Sequence, residues 1–234
     1  MKLHQVLNVG GTDYDLVKSD VRLELRNPGR ATFTVQAGAP LKGLVTFDIG
    51  YNDGPLQRHF IGYVERSTAA NSKQQVLFCR ELAAILARPL PMNLRHVDLR
   101  AVLEHVSQQT GLRFRVPDQP YATTRAPFFY SLAAGFQAME SLAQVFSIPD
   151  FIWQQQGDGE VFVGSWVDSY FGLRPALQLP VELFDHYQGN QSATIAALPG
   201  LRPGATINQG ERVTHVALAG NQMGIRWKTQ SAAQ

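Results

Sequence analysis

The sequence predicts an α+β protein rich in β-strands, with one or more antiparallel β-barrel domains and a helical or mixed middle segment. Short runs of alternating apolar and polar residues recur near both ends of the chain, turn-forming residues separate them, and helix formers concentrate between them. We therefore expect an N-terminal β-barrel part at 1–70, a helical or mixed segment at 71–149 and a C-terminal β-rich part at 150–234. The C-terminal part either completes the first barrel or forms a second one.

The N-terminal part contains four predicted strands. Val21–Leu25 and Ala31–Val35 alternate between apolar and polar residues, with Asn27-Pro28-Gly29 between them. Pro presets φ at the first turn position and Gly accepts a positive φ at the next, so these residues predict a type II-like hairpin loop. Leu44–Gly50 and His59–Val64 predict the other two strands, a spacing typical of an antiparallel sandwich or small barrel.

The middle segment contains three predicted helices. Arg80–Ala87 is rich in helix formers and ends before an Arg-Pro pair, where a helical backbone is disfavoured. Asp98 is the predicted N-cap of a helix that ends near Gln109, ahead of Gly111. Leu132–Phe146 predicts a third helix, because its apolar residues recur along one side.

The C-terminal part returns to strands. Asp150–Gln155 and Glu160–Gly164 flank a Gly-Asp-Gly turn and predict a β-hairpin. Arg212–Leu218 and Met223–Trp227 predict another antiparallel pair around a Gly-Asn turn.

The composition limits the possible functions. Charged residues make up 17% of the 234 residues, against an average of about 25% in globular chains, which favours extensive contact with other proteins. A net charge of +2 without a basic run gives little reason to expect a dedicated nucleic-acid binder. The chain lacks an apolar signal core and any apolar run approaching about 18 residues, so we expect neither secretion nor a membrane-spanning segment. The lone Cys79 excludes an internal disulfide framework.

Motif spacing predicts no catalytic, cofactor-binding or metal-binding residue. The six histidines show no HxH, HxxxH or HExxH spacing, and no GxSxG or phosphate-binding loop is present. Cys79 follows a short apolar run and is interpreted as a small buried hydrophobe. The acid–histidine neighbours Glu104-His105 and Asp185-His186 are interpreted as ordinary surface or turn residues.

Two alternatives to a structural role stay open. A cell-wall hydrolase requires two carboxylates about 5–10 Å apart in one groove, and four acids occur late in the chain: Asp150, Asp158, Glu160 and Asp168. A carbohydrate-binding module requires exposed, coplanar rings, for which Trp153 and Trp166 are the candidates.

Two further residue groups are interpreted as parts of the core or of protein interfaces. The first could instead form a platform on which sugars stack: Phe128, Phe129 and Tyr130, with Trp153, Trp166, Tyr170 and Phe171. The second could instead line a path for a polyanion: Arg88, Arg95, Arg100, Arg113, Arg115 and Arg125.

Several strings of strand and turn residues resemble the tail or baseplate hub proteins of tailed bacteriophages and prophages, a family related to the hub part of type VI secretion spike proteins. The strings are Arg26–Val35, Gly43–Gly50, Phe60–Glu65, Arg88–His96, Ile148–Gly159, Leu201–Ala205 and Gly210–Val216. None is a catalytic signature, and the resemblance covers about residues 20–230.

The resemblance implies a tail-hub-like fold and a structural, non-enzymatic role without a cofactor. Such hubs typically form a homotrimeric ring in the virion tail, assembled in the cytoplasm of the host bacterium. The ring joins the tail tube, or a distal tail protein, to the central spike or fibre. It surrounds a channel that contains tape-measure protein and through which DNA passes at genome ejection, without sequence-specific binding.

Overall fold

The computed structural model describes residues 2–188 and 191–229, with only the backbone of 186–188. The strands are β1 Leu3–Val9, β2 Thr12–Tyr14, β3 Leu16–Glu24, β4 Asn27–Gln36, β5 Leu44–Tyr51, β6 Gln57–Asn71, β7 Gln74–Glu81, β8 Met92–Val97, β9 Phe114–Arg115, β10 Ala126–Ser131, β11 Phe151–Gln155, β12 Val161–Ser165, β13 Asp185–Gln188, β14 Ser192–Ala196, β15 Thr206–Ile207, β16 Glu211–Ala219 and β17 Gln222–Lys228. The α-helices are α1 Leu99–Thr110, α2 Pro120–Thr123 and α3 Gly135–Val145, and 3-10 helices cover Leu82–Ala87, Trp166–Asp168 and Val181–Leu183.

These elements form two compact units. Unit 1 comprises the described residues of 1–81 and 175–234, and unit 2 comprises Leu82–Arg174. The bounds differ from the expected middle segment, 71–149, at both ends. Strand β7 pairs with β4 and β6 in unit 1, and the β11–β12 hairpin pairs in parallel with β9 in unit 2. Strand pairing therefore sets the division of the chain.

Unit 1 is built on a 12-stranded sheet in the order β13-β14-β17-β16-β3-β4-β7-β6-β5-β1-β2, with β15 paired to β16. The sheet curls until Gln5 on β1 meets β3, where the Ser19 hydroxyl donates to Gln5 Oε1 at 3.3 Å. Gln5 Nε2 donates to the Gly220 carbonyl at 2.6 Å. No backbone ladder joins β1 to β3 among the described residues. The α+β, β-rich class is confirmed, but the predicted barrel is an open, curled sheet because only side chains bridge this seam.

The predicted loop at Asn27-Pro28-Gly29 is wrong by two residues. The chain turns at Leu25-Arg26, where Arg26 has φ +66°, and Pro28 and Gly29 lie inside β4. The register slips between Arg22 and Glu24, so a β-bulge accommodates the proline. Gly29 is required because a Cβ there would lie 2.6 Å from Leu23 Cδ2.

A buried ion pair lies in unit 1 beside this bulge. The segment Leu201–Ala205 inserts Arg202, whose guanidinium donates to Glu81 Oε1 at 3.1 Å and to the His59 carbonyl at 2.6 Å. The second oxygen of Glu81 accepts the Gly29 N–H at 2.6 Å. Burial raises the pKa of Glu81, and the Arg202 charge and the Gly29 N–H oppose that shift. The pair thus connects three segments of the sheet to the chain that crosses it.

Unit 2 packs its helices and short strands around one apolar core. The Asp98 side chain accepts the Ala101 N–H at 2.9 Å and caps α1, and Gly111 ends the helix with φ +74°, as predicted. Buried residues on α1, α3 and the β11–β12 hairpin meet in this core, among them Leu103, Leu142 and Trp153. Within the described ranges, no helix has the length and apolarity needed to cross a bilayer.

Breaking the buried ion pair should destabilise unit 1 strongly. For Arg202→Met, which leaves the Glu81 carboxyl buried without its ion-pair partner, we expect the free energy of unfolding to fall by about 3–5 kcal/mol. Urea titration followed by circular dichroism measures this loss. The control is Asp20→Asn, which removes an exposed pair with Arg22 and should cost less than about 1 kcal/mol. Equal losses in the two variants would contradict the role given to the buried pair.

Acid should destabilise unit 1 through His59. This side chain is 1% exposed, and neither ring nitrogen has a hydrogen-bond partner among the described residues. Burial, and secondarily the Arg202 charge, lower the pKa of His59 from 6.5 to about 3. Between these two pKa values His59 is protonated in the unfolded chain but neutral in the folded chain. The free energy of unfolding therefore falls as the pH drops from about 6.5 towards 3.

The expected loss attributable to His59 is about 2 kcal/mol between pH 7 and pH 5. Urea midpoints of wild type and His59→Leu at the two pH values measure it, and the variant should lose most of the difference. The control His96→Asn changes an exposed histidine with φ +51°, a conformation that Asn tolerates. If His59→Leu keeps the full pH dependence, another group is responsible.

Candidate interaction surface

The four candidate carboxylates lie at opposite ends of the β11–β12 hairpin. Asp150 precedes β11, and its carbonyl accepts the Trp166 N–H at 2.9 Å. Asp158 lies in the turn, where its side chain accepts the Glu160 N–H at 3.0 Å. A five-residue strand extends about 13–17 Å, so the hairpin separates Asp158 and Glu160 from Asp150 and Asp168 by more than the spacing of about 5–10 Å that one catalytic pair requires.

Asp168 belongs to a structural hydrogen-bond cluster. It accepts bonds from Gln119 Nε2 at 2.9 Å and from the Tyr121 hydroxyl at 2.8 Å. Burial raises the pKa of Tyr121 to about 12, so this phenol stays protonated and remains a donor. These hydrogen bonds join the segment around α2 to the residues that follow β12.

The two candidate sugar-stacking tryptophans are core residues. Trp153 is 1% exposed, its ring stacks on Phe136 with centroids 5.9 Å apart, and its Nε1–H donates to Glu140 at 2.8 Å. Trp166 is also buried. The exposed, coplanar pair that a carbohydrate-binding module requires is therefore not formed by these residues.

The remaining single candidates have structural surroundings. Cys79 is buried, and burial raises its pKa to about 12, so the reactive thiolate is suppressed at neutral pH. His105 contacts Gln109 one turn along α1, and the side chain of His186 lies outside the described residues. In the described part of the chain, no three His, Cys, Asp or Glu side chains are grouped so that they could hold a metal ion.

Strands β8 and β10 present an exposed aromatic strip. Because strand side chains alternate, Phe129 is buried while Phe128 and Tyr130 face outward with 60% and 63% of their surfaces exposed. Leu132 continues the row, and Arg95 on β8 lies over the Phe128 ring at 5.6 Å. We call Arg95, Phe128, Tyr130 and Leu132 the aromatic strip. Exposed aromatics beside arginine are the residue types enriched at protein interfaces.

Sequence reasoning proposed these aromatics but missed their partner strand. Strand β8 was not predicted, although Met92 and Leu94 alternate with Asn93 and Arg95. Its register sets Arg95 opposite Phe128 and Asn93 opposite Tyr130. The alternation was the available signal, but the flanking prolines obscured it.

Four of the six candidate arginines in unit 2 have side-chain contacts with their own chain. Arg100 pairs with Asp118 at 3.2 Å, and Arg113 lies 3.9 Å from Glu160. Arg125 donates to the His96 carbonyl at 2.8 Å, and Arg95 lies over the Phe128 ring. Arg100 and Arg115 line one groove together with Glu104 and Glu160, so acidic side chains stand beside these two arginines.

Comparison with solved structures relates the whole chain to tail proteins. The 43 kDa tail protein of prophage MuSo2 from Shewanella oneidensis matches with a TM-score of 0.71 over 97% of both chains, at 10% identity. A tail protein from Neisseria meningitidis MC58 matches with a TM-score of 0.67 over 98% of this chain and 97% of that one, at 11% identity. The chain has the phage tail protein fold.

The same fold extends to type VI secretion. The Escherichia coli c3393 protein, a component of that system described as structurally similar to the T4 bacteriophage tail proteins gp27 and gp5, matches with a TM-score of 0.65. The match covers 96% of this chain and 77% of that one, at 11% identity. The tail-protein resemblance predicted from the sequence is thus confirmed by the tail-protein fold.

A relative in sequence is encoded by a phage. An uncharacterized 58.7 kDa protein of Haemophilus phage HP1 (strain HP1c1) is 32% identical over 223 residues, which are 94% of this chain and 41% of the relative. The chain therefore spans less than half of that protein. No protein-family model matches the sequence.

Neighbouring residues of β10 should differ sharply in their effect on stability. We expect Phe129→Ala, at a position 2% exposed in the core of unit 2, to lower the free energy of unfolding by about 3–5 kcal/mol. Phe128→Ala, the matched control on the outer face, should change it by no more than about 0.5 kcal/mol. Urea titration measures both, and a large loss in the control would show that the aromatic strip stabilises the fold itself.

Proposed function

We propose that the protein is a structural hub of a phage or prophage-like tail. In this role it forms a homotrimeric ring at the baseplate or tail tip. The ring joins the tail tube or a distal tail protein to the central spike or fibre, and it surrounds the channel for tape-measure protein and DNA. The observation that carries the proposal is the correspondence of the chain over its whole length with a prophage tail protein.

The type VI neighbour supports a partner of the spike class. That protein is compared with both gp27 and gp5 of the T4 tail, and its fold matches this chain over 96% of its residues. The 32% identical relative supports a phage setting, because it is itself a phage protein. We accordingly propose that the protein is located in the virion tail and assembles in the cytoplasm of the host bacterium.

The aromatic strip supports an assembly role and is the surface that we assign to contact between subunits. Phe128, Tyr130 and Leu132 are each at least 60% exposed, so each leaves apolar surface in water that a neighbouring subunit would bury. Arg95 adds a planar donor set at one end of the row. We propose that unit 2 of one copy contacts a second copy through this strip.

A non-enzymatic role is favoured over both alternatives. The acids of the hydrolase hypothesis are separated along a hairpin, and Asp168 already accepts two side-chain hydrogen bonds. The rings of the glycan-binding hypothesis are buried. These placements support a protein whose function is contact and alignment.

Solution mass tests the proposal. Light scattering over a tenfold concentration range should give a ring of three times 25.9 kDa, with purified tail-tube protein added if the chain alone stays monomeric. Phe128→Ser/Tyr130→Ser should shift the protein towards monomer, because it removes apolar area from the contact. The matched control is Tyr170→Ser, which changes an aromatic residue that is 48% exposed and lies outside the strip.

Three outcomes would contradict parts of the proposal. A monomer at every concentration, with and without the tube protein, would contradict the ring. A trimer that survives the double substitution would move the contact away from the aromatic strip. Wall lysis that disappears in Asp158→Asn would favour the hydrolase instead.

A further inference from the structure

Three arginines lie side by side on the outer face of the unit 1 sheet. The register aligns Arg22 on β3 with Arg30 on β4, and Arg30 with Arg80 on β7. Adjacent strands are about 4.8 Å apart, so the row spans about 10 Å. Like charges directly opposite each other on a sheet are destabilising. The fold therefore gains nothing from this row and must tolerate its repulsion.

Carboxylates of the chain do not neutralise the row. Arg22 pairs with Asp20 at 2.9 Å, but the guanidinium groups of Arg30 and Arg80 have no ion pair or hydrogen-bond acceptor among the described residues. The Nε of Arg80 is shielded from solvent and unpaired there. Two of the three charges thus remain available to an external anion.

The surrounding face extends this positive region. Two shallow grooves flank the row, and both are lined by Arg22 and Arg30. The charged residues that line the two grooves are Lys18, Asp20, Arg22, Glu24, Arg30 and Arg226, and Arg80 in the row and Arg66 over the Phe78 ring add two more. Six basic less two acidic residues leave four positive charges, against +2 for the whole chain, so the rest of the chain is net negative. We call these eight residues the basic face.

The side chains that lie between these charged residues favour a phosphodiester backbone as the ligand. Thr32 and Thr34 line one groove, and Ala217 and Gly224 line the other, so the floor is small and lets a backbone approach closely. A protein partner would need an aromatic or aliphatic anchor in a pocket. Phe78 is the one Phe, Tyr or Trp among the described residues that line these grooves, and it is half-buried with Arg66 over its ring, while His215 lines the second groove.

We propose that the basic face binds the phosphate backbone of duplex DNA without reading its sequence. A length of duplex DNA equal to the row carries about six phosphate charges on its two strands, since the spacing is about 1.7 Å of axis per charge. The guanidinium fork suits phosphate oxygens, and contacts to phosphates alone do not read base sequence. The inference deepens the proposed function and rests on it for the presence of DNA in the channel.

Fluorescence anisotropy with a labelled duplex of about 20 base pairs tests the assignment in the free chain. Arg30→Gln/Arg80→Gln should weaken binding at least about tenfold at about 50 mM salt and reduce the salt slope by about two. Arg100→Gln/Arg113→Gln, which removes the same charge from unit 2, should change the affinity less than about twofold. Two duplexes of unrelated sequence should bind equally.

Stability and competition complete the test. Arg30→Gln should leave the urea midpoint unchanged or raise it, because the substitution relieves like-charge repulsion, so lost binding then reflects lost contacts. The assignment is overturned if the wild-type chain does not bind the duplex or if both double variants lose the same affinity. It is also overturned if polyglutamate competes more strongly than unlabelled duplex. Binding is measured on the free chain, so the two proposals can fail separately. A trimer that does not bind DNA refutes this inference alone. A monomer that binds DNA refutes only the proposed hub role.

Discussion

The Glu81–Arg202 ion pair is the contact on which unit 1 depends, because its partners are separated by 121 residues in the sequence. Removing both charges from water carries a large desolvation cost, and additional hydrogen bonds help to offset it. Glu81 accepts the Gly29 N–H, and Arg202 donates to the His59 carbonyl. These bonds join Gly29, beside the β-bulge, to the Leu201–Ala205 segment through Glu81 and Arg202.

Unit 2 buries its apolar side chains between short strands and helices. A two-stranded sheet has one face for the core and one for solvent, and alternation on β10 sends Phe129 inward and its neighbours outward. The inward residues join Trp153 and the helices in the core. The outward ones remain exposed in this chain, and that apolar surface is why an assembly function is favoured over chemistry performed by a single subunit.

The same reasoning separates the candidate functions. Catalysis requires acids that converge, and glycan binding requires rings that are exposed. The structure instead separates Asp158 from Asp150 along a hairpin and stacks Trp153 on Phe136. The described surface instead presents an exposed aromatic strip on unit 2 and a row of arginines on unit 1.

Local patterns in the sequence determined the fold class, eight of the strands and α1 with its two caps, because alternation, capping and turn residues act over a few positions. They did not determine the Leu25-Arg26 turn, because Gly29 lies inside β4, where its N–H donates to the buried carboxylate of Glu81, 52 residues away. The basic face could not be predicted from local sequence patterns either. Its arginines come from five separate strands and form no run in the sequence, so a net charge of +2 argued against a polyanion site. Only strand register brings Arg22, Arg30 and Arg80 into one row, and register is a property of the tertiary structure.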